Sequence, residues 1–326
     1  MEERAMRKHF LERFSSRSGG DFSKTPGLPL SLNVELNSTC NHKCIFCPYH
    51  GETAPHPVGN YSMDFDLVTK ILDEAWSLGI GKKELGFYAS GEPFLYKKLP
   101  EVIAYAKKKG FCYTFLTTNG SLATPDRIKA VVDAGLDSIR FSVNACEREQ
   151  YEAIHGCDEF NKVCNNIKFL SEYREKSGSR IAISLSCVVT RKTDGMQQSI
   201  REQFKDFVDD IIFLPVSIVP EMQGALKDHV FEKDLHFEIN ESFICNSIFD
   251  AMYIDAKADV VVCCQGCGRE DAIAYHLSDG LDLKKAWESP VYQKYRKMFL
   301  EHTGLKGTMC EQCYLVQRVD EGFFQE

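Results

Sequence analysis

Three cysteines, Cys40, Cys44 and Cys47, stand in a C-x3-C-x2-C array inside the segment NSTCNHKCIFCPY. Thiolates at this spacing can wrap one metal centre from a single loop. Zinc asks for a fourth ligand nearby, and His42 or His50 offers an imidazole for it. A four-iron cluster with one iron left open to a substrate or cofactor needs only the three thiolates, and the triplet favours that reading. A second group follows residue 240, where Cys245, Cys263 and the C-x2-C pair Cys310 and Cys313 supply four thiolates. Such a set holds either zinc or a fully ligated four-iron cluster. Fourteen cysteines in a secreted miniprotein would read as disulfides, but in a chain of 326 residues with clustered cysteines ligation is the better reading. The others are Cys112, Cys146, Cys157, Cys164, Cys187, Cys264 and Cys267. Most are expected as small buried apolar side chains. Cys187, Cys264 and Cys267 are the ones positioned to face a substrate.

These residues need elements to hold them. The chain is 44% hydrophobic, ample for one large domain or two. Its net charge of -8 gives no electrostatic reason to expect nucleic acid as a partner. No apolar run approaches the roughly 20 residues that cross a bilayer, and the opening MEERAMRKHFLERF lacks the apolar core of a secretory signal. A cytoplasmic protein with no membrane partner is expected.

From residue 32 to about residue 215, strand-like runs alternate with helical periodicity. The predicted strands are Leu32–Leu36, Glu84–Tyr88, Phe111–Thr117, Ser138–Val143, Ile181–Val189 and Ile211–Pro215. Amphipathic helices fall between them, at Asp64–Leu78 and at Thr124–Ala134, the second stopped by Gly135. Six βα units in succession predict an α/β fold, a partial (β/α)6 TIM-like barrel. Beyond residue 216 the rhythm changes to a hairpin, Met252–Ile254 with Val260–Val262, and then a helix over Leu283–Leu300. The expected organisation is an N-terminal arm over residues 1–30, a core barrel over 31–216 and a small cysteine-bearing domain over 217–326.

The triplet, with aromatic Phe46 before its third cysteine, resembles the signature of the radical S-adenosylmethionine (SAM) superfamily. The resemblance implies that the open iron chelates SAM and that reductive cleavage gives a 5′-deoxyadenosyl radical, with the protein positioning the cofactor. Residues just past the strand ends share one rim in parallel barrels, where active sites form, and the rim motifs fit. Ser90-Gly91-Glu92-Pro93 resembles the family's GGEP, with serine for the first glycine; Glu92 is implied to take the SAM ammonium group. Thr118-Asn119-Gly120 ends the third strand. Ser142-Val143-Asn144 resembles the serine-x-acid pair that bonds the ribose, with asparagine in place of the acid. Arg191 is implied to meet the SAM carboxylate.

The tail is similar to the SPASM/Twitch extension of that superfamily, which encloses an auxiliary cluster. Trp287, Tyr292 and Arg296 match its helix, and Ala258 stands where its hairpin usually has glycine. SPASM proper has cysteines beyond the C-x2-C pair and none follows Cys313 here, so the single-cluster Twitch form is expected. The resemblance therefore implies two 4Fe–4S clusters, SAM, a reductant such as flavodoxin or ferredoxin and a small-molecule substrate. A GTP cyclase of the molybdenum-cofactor pathway would carry a third cysteine after a C-x2-C pair and a terminal Gly-Gly, which this sequence lacks.

Four thiolates leave no open iron on the auxiliary cluster, so its expected task is to accept an electron. That makes the expected reaction a dehydrogenation of a small polyol, sugar or aminocyclitol, of the 2-deoxy-scyllo-inosamine dehydrogenase type. Thirty residues before the barrel are too few for a domain that grips a leader peptide, so a peptide-modifying maturase is the lesser expectation. An epimerase using Cys187, Cys264 or Cys267 as hydrogen donor is the rival outcome. A structural zinc protein and a two-cluster electron carrier are the other classes. The rim motifs argue against the carrier, which needs no SAM pocket.

Overall fold

All six strands expected of the barrel are present: β1 (Ser31–Val34), β2 (Glu84–Phe87), β3 (Thr114–Thr118), β4 (Ser138–Ser142), β5 (Ala182–Val188) and β6 (Asp210–Leu214). The computed structural model describes residues 27–231, 238–240, 242–311, 313 and 315–317. Most of the expected N-terminal arm, residues 1–26, lies outside the described residues. The six strands pair in parallel and in sequence order, with registers such as Leu32↔Leu85 and Leu116↔Ile139. β6 is an outer edge of the sheet, so the barrel is open. Strands such as β1 are buried on both faces, as the continuous apolar runs of a helix-covered parallel sheet require.

The first crossover helix, α1 (Phe65–Leu78), shows why the helices form where they do. Asp64 caps it by accepting the backbone N–H groups of Asp66 and Leu67, and Gly79 ends it in the left-handed conformation at φ 78. Val68, Ile71, Leu72 and Ala75 recur at helical spacing and are buried. Each of the three larger side chains contributes about 1.5–3 kcal/mol relative to exposure. Helices α2 (Leu99–Lys109), α3 (Pro125–Asp133), α4 (Arg148–His155), α5 (Phe160–Ser177) and α6 (Gln197–Phe204) complete the repeats.

The sheet runs straight through the expected boundary near residue 216. β7 (Ala251–Ile254) pairs in parallel with β1, Leu32 opposite Met252. β8 (Asp259–Val261) and β9 (Ile273–His276) then add on antiparallel, giving nine strands in the order β6-β5-β4-β3-β2-β1-β7-β8-β9. The hairpin was legible in sequence; β9 was not. The helix expected over 283–300 is two, α7 (Leu283–Trp287) and α8 (Pro290–Leu300). Ser289 caps the second, its Oγ accepting the Tyr292 N–H, and Pro290 at the first position has no N–H with which to continue the first.

Glu35, just past β1, joins the two halves. Its Oε1 accepts from the Ser90 backbone N–H at 2.6 Å, the Ser90 hydroxyl at 2.5 Å and the Gly91 N–H at 2.9 Å. Its Oε2 accepts from the Ala256 N–H of the β7–β8 turn at 3.1 Å. The residue is 3% exposed, where hydrogen bonds to a charged group contribute about 1.5–3 kcal/mol each. Glu35→Gln is therefore expected to cost about 3 kcal/mol in denaturant unfolding. Amide exchange should speed up at both Ser90–Gly91 and Ala256; faster exchange on one side alone would show that Glu35 does not join them.

Candidate active site

One cavity of about 370 Å3 opens at the carboxyl ends of the barrel strands, within the usual size of a small-ligand site. Its walls include Cys40, Cys44, Phe46 and Cys47 from the loop after β1, the Ser90–Glu92 segment after β2, and Asn119, Ser142 and Asn144 after β3 and β4. Cys264 and Gln265, from the segment after β8, close the far side. The first cysteine group and Cys264, the neighbour of Cys263 from the second, thus line the same space.

The cysteine loop is held by backbone. Gly91 packs so closely on it that a Cβ would lie 2.3 Å from the Asn37 carbonyl oxygen and 2.8 Å from that of Thr39. The glycine is needed for a neighbouring strand of backbone, beyond any ligand. The Asn37 amide accepts from Thr39 and donates to the Glu92 carbonyl. The three sulfurs are met by N–H donors: His42 N to Cys40, 3.5 Å; Asn119 Nδ2 to Cys40, 3.9 Å; His50 N to Cys47, 3.4 Å; and His155 Nδ1 beside Cys44, 3.6 Å.

Burial pushes the Cys40 thiol up to about 11 and raises those of Cys44 and Cys47. Buried thiols with N–H donors aimed at sulfur suit a metal, which displaces the protons and leaves thiolates for those donors to stabilise. The loop therefore fits an iron–sulfur cluster, with the cavity above it for a ligand of the open iron. His42, the alternative zinc ligand, instead places Nε2 3.0 Å from Glu159. His50 faces the backbone of Ser90 and Ser38.

The rim residues divide. Glu92 is 2% exposed, and its carboxylate accepts from Phe94 N (3.0 Å), Thr118 Oγ1 (2.6 Å) and Asn119 N (2.8 Å). Burial raises its pKa against those hydrogen bonds. With about four lone-pair sites on a carboxylate, one is left toward the cavity. Asn144 spends its amide between Val188 N and His155 Nε2, so it ties β4 to β5 where a ribose contact was expected. Ser142 lines the cavity, and so does Ser186, which the sequence reading missed. Phe46 packs beside Val219 and Met222.

Three expectations are corrected. Arg191 is exposed and stands outside the cavity walls; its N–H reaches the His229 carbonyl, and a Thr190–Thr193 turn carries the chain away past β5. Cys187 is fully buried in the main core, its thiol pushed up to about 12 by burial. Alternation along β5 gives the cavity to Ser186 and turns Cys187 outward into the core. Cys267 is 1% exposed among Val58, Tyr253 and Val261 and is likewise sealed off. Of the three proposed hydrogen donors, only Cys264 faces the cavity. Of the remaining cysteines, Cys112 is exposed and Cys146, Cys157 and Cys164 are half-buried, against the expectation of burial.

Of the four cysteines expected as the second ligand set, Cys310 is buried and Cys245, Cys263 and Cys313 are half-buried. Burial raises the Cys310 thiol, and Cys263, Cys313 and Cys245 add to the rise. Arg296 braces the set from behind. Its guanidinium lies 4.2 Å over the Trp287 ring and 4.9 Å over Tyr292, while Nε donates to the Ile248 carbonyl, three residues past Cys245. The Tyr292 hydroxyl donates to the Val261 carbonyl at 3.2 Å, fixing the strand that leads to Cys263. Tyr49 links the two cysteine loops: it follows Cys47 by two residues and donates to the Cys264 carbonyl at 2.8 Å.

Cys264 lines the cavity and Cys263 does not, although their sulfurs lie 3.8 Å apart. Cys263→Ala is expected to lose the metal of the four-cysteine site, and Cys264→Ala to keep it. Metal analysis and absorption spectra of anaerobically purified variants check this; loss in Cys264→Ala alone would reverse the assignment.

Comparison with known proteins agrees with this geometry. A probable GTP 3′,8-cyclase from Sulfolobus acidocaldarius is 28% identical over 64% of this chain and 63% of its own length. The chain spans less than two thirds of the curated relatives it matches first. Among solved structures, BtrN in complex with AdoMet and 2-DOIA superposes with a TM-score of 0.55 at 18% identity, covering 88% of this chain and 94% of that one. SuiB of Streptococcus suis, bound to the precursor peptide SuiA, gives 0.64 at 14% identity over 95% and 73%. Both confirm the open α/β barrel. Residues 34–189, from the end of β1 past the end of β5, match the family model of the radical SAM superfamily, so that stretch of the chain is similar to a radical SAM domain.

Proposed function

We propose that this chain is a radical SAM oxidoreductase that oxidises a small, uncharged, polyhydroxylated molecule held between two iron–sulfur clusters. The observation that carries the reading is the shared cavity, with Cys40, Cys44 and Cys47 on one side and Cys264, beside Cys263, on the other. Bound at the first loop, a four-iron cluster and SAM supply a 5′-deoxyadenosyl radical that takes a hydrogen atom from substrate. The protein's part is placement. Glu92, locked by Thr118 and Asn119, offers its remaining lone pair to the SAM ammonium group, and the Ser142 hydroxyl stands for the ribose. Phe46 screens one wall from water.

A substrate carbon that has lost hydrogen must still lose an electron and a proton to become a ketone. The Cys263 sulfur lies 3.8 Å from that of Cys264 in the cavity wall, and Cys245, Cys263, Cys310 and Cys313 would hold a second cluster. That supports an electron leaving to it. Substrate chemistry is supported by the walls: Tyr88, Thr117, Ser186, Ser217 and Gln265 are polar and uncharged, and no Lys or Arg lines the cavity among the described residues. BtrN, crystallised with 2-DOIA, is an apt precedent for the small ligand; SuiB, crystallised with a precursor peptide, is the precedent for the peptide rival. A reductant such as flavodoxin or ferredoxin would supply the first electron.

One observation favours a second reading. Cys264 presents a thiol to the cavity, and a weak S–H bond returns hydrogen to a substrate radical, giving epimerisation. Anaerobic turnover in heavy water with SAM, dithionite and candidate polyols separates the two. Loss of two hydrogens from the product is expected, with Cys264→Ala still active. Unchanged mass plus one deuterium, abolished in Cys264→Ala, would establish the epimerase. Cys44→Ala is expected to form no 5′-deoxyadenosine; activity in that variant would remove the radical SAM assignment.

A further inference from the structure

The imidazole of His155 sits at the end of α4, 1% exposed, against the cysteine loop. Its hydrogen position follows from its neighbours. The Val188 backbone N–H, which can only donate, lies 2.7 Å from one terminal atom of the Asn144 side chain and so identifies that atom as Oδ1. The Asn144 Nδ2 therefore faces His155 Nε2 at 3.2 Å, and the Asn144 backbone N–H approaches the same nitrogen at 3.3 Å. Two donors require a lone pair on Nε2, so the ring carries its hydrogen on Nδ1. That nitrogen is 3.6 Å from the Cys44 sulfur. The ring is held there by stacking on Tyr151, centroids 3.9 Å apart and planes within 10°, with His42 edge-on at 5.5 Å.

We propose that His155 donates its Nδ1–H to the Cys44 sulfur and so raises the reduction potential of the cluster which that sulfur ligates. The inference rests on the reading of Cys40, Cys44 and Cys47 as cluster ligands. A hydrogen bond to a ligand sulfur stabilises the added electron, because the reduced cluster places more negative charge on sulfur. A catalytic cluster of this kind must be reduced before SAM is cleaved, so the bond acts on the first step. The grouping of His42, Cys44 and His155, whose ligand atoms lie within 4.8 Å of one another, does not make a single-ion site on this account. His155 has its lone pair on the nitrogen facing Asn144 and a hydrogen on the one facing sulfur.

The test uses the reduced holoprotein without SAM. Histidine is labelled with 15N in the imidazole ring only, so that the His42 and His50 backbone N–H groups beside Cys40 and Cys47 stay unlabelled. Pulsed EPR of the signal that later changes on adding SAM should then show hyperfine coupling to a histidine nitrogen. His155→Phe, which keeps the stack on Tyr151, should lose it. Redox titration of the same signal should make His155→Phe about tenfold less reduced at a fixed poise, a negative shift of about 59 mV for a one-electron couple. A wild-type cluster signal without histidine coupling overturns the proposal, and so does coupling with an unchanged potential in the variant. If His155→Phe takes up no iron, His42→Phe decides: the coupling should persist there, and its loss would assign it to His42 and overturn the proposal. A wild-type protein with no SAM-responsive cluster signal would instead sink the cluster reading on which the proposal stands.

Discussion

A single buried carboxylate fixes the geometry on which everything else depends. Glu35 leaves β1 where the chain turns toward Cys40, and its two oxygens divide between the Ser90–Gly91 rim and the Ala256 turn. One oxygen sets the wall of the cavity next to the first cysteine loop. The other sets the hairpin whose return strand delivers Cys263 and Cys264. Burying an ionised carboxyl is costly unless its lone pairs are filled, and four donors fill them here. The cost enforces the arrangement: moving either the rim or the hairpin would strand a charge. A cavity bounded by two cysteine loops from residues more than 200 positions apart thus becomes a property of one side chain.

The sulfur environments follow a second constraint. Burial raises the thiols of Cys40, Cys44, Cys47 and Cys310, so without metal these loops store protonated sulfur. In the first loop, backbone and side-chain N–H groups are nevertheless aimed at it. The two facts reconcile once a metal takes the protons' place, because thiolate then accepts what thiol accepts poorly. The conformation of the first loop is therefore suited to the loaded state.

Much of this was legible in the sequence, and the part that was not has a common cause. The βα rhythm, the cysteine sets and the Ser90–Glu92 motif declare themselves through spacing, since each is made of residues close in the chain. What spacing cannot carry is the partner across space. Glu35 reads as a polar residue ending a strand, and His155 as one polar position in an amphipathic helix. Nothing local marks either as a hinge of the site. Cys187 and Arg191 failed for a finer reason. Arg191 was placed by counting past a strand end, and Cys187 by its place within the fifth strand, where a shift of one residue exchanges the cavity for the core and Ser186 takes the inward place. The helix over 283–300 kept its apolar period across Ser289-Pro290, so periodicity ran on where the capping chemistry broke it.

The misplacement of Arg191 has a consequence for how the cavity treats charge. A carboxylate-bearing ligand ordinarily finds a guanidinium or ammonium group, and among the described residues none lines these walls. Glu92 contributes negative charge or, with its raised pKa, a neutral carboxyl, and neither attracts an anion. What remains for a carboxylate is neutral hydrogen-bond donors, the hydroxyls of Thr117, Ser142, Ser186 and Ser217 and the Gln265 amide. Such donors are weaker singly than a cation, but they leave no unbalanced charge where the second ligand must sit. A positive side chain over the cavity would favour acidic substrates and would also repel an electron-deficient intermediate. Hydroxyls do neither. The same walls can therefore hold the polar ends of SAM and the hydroxyls of a neutral substrate, and they pass no charge preference from one to the other.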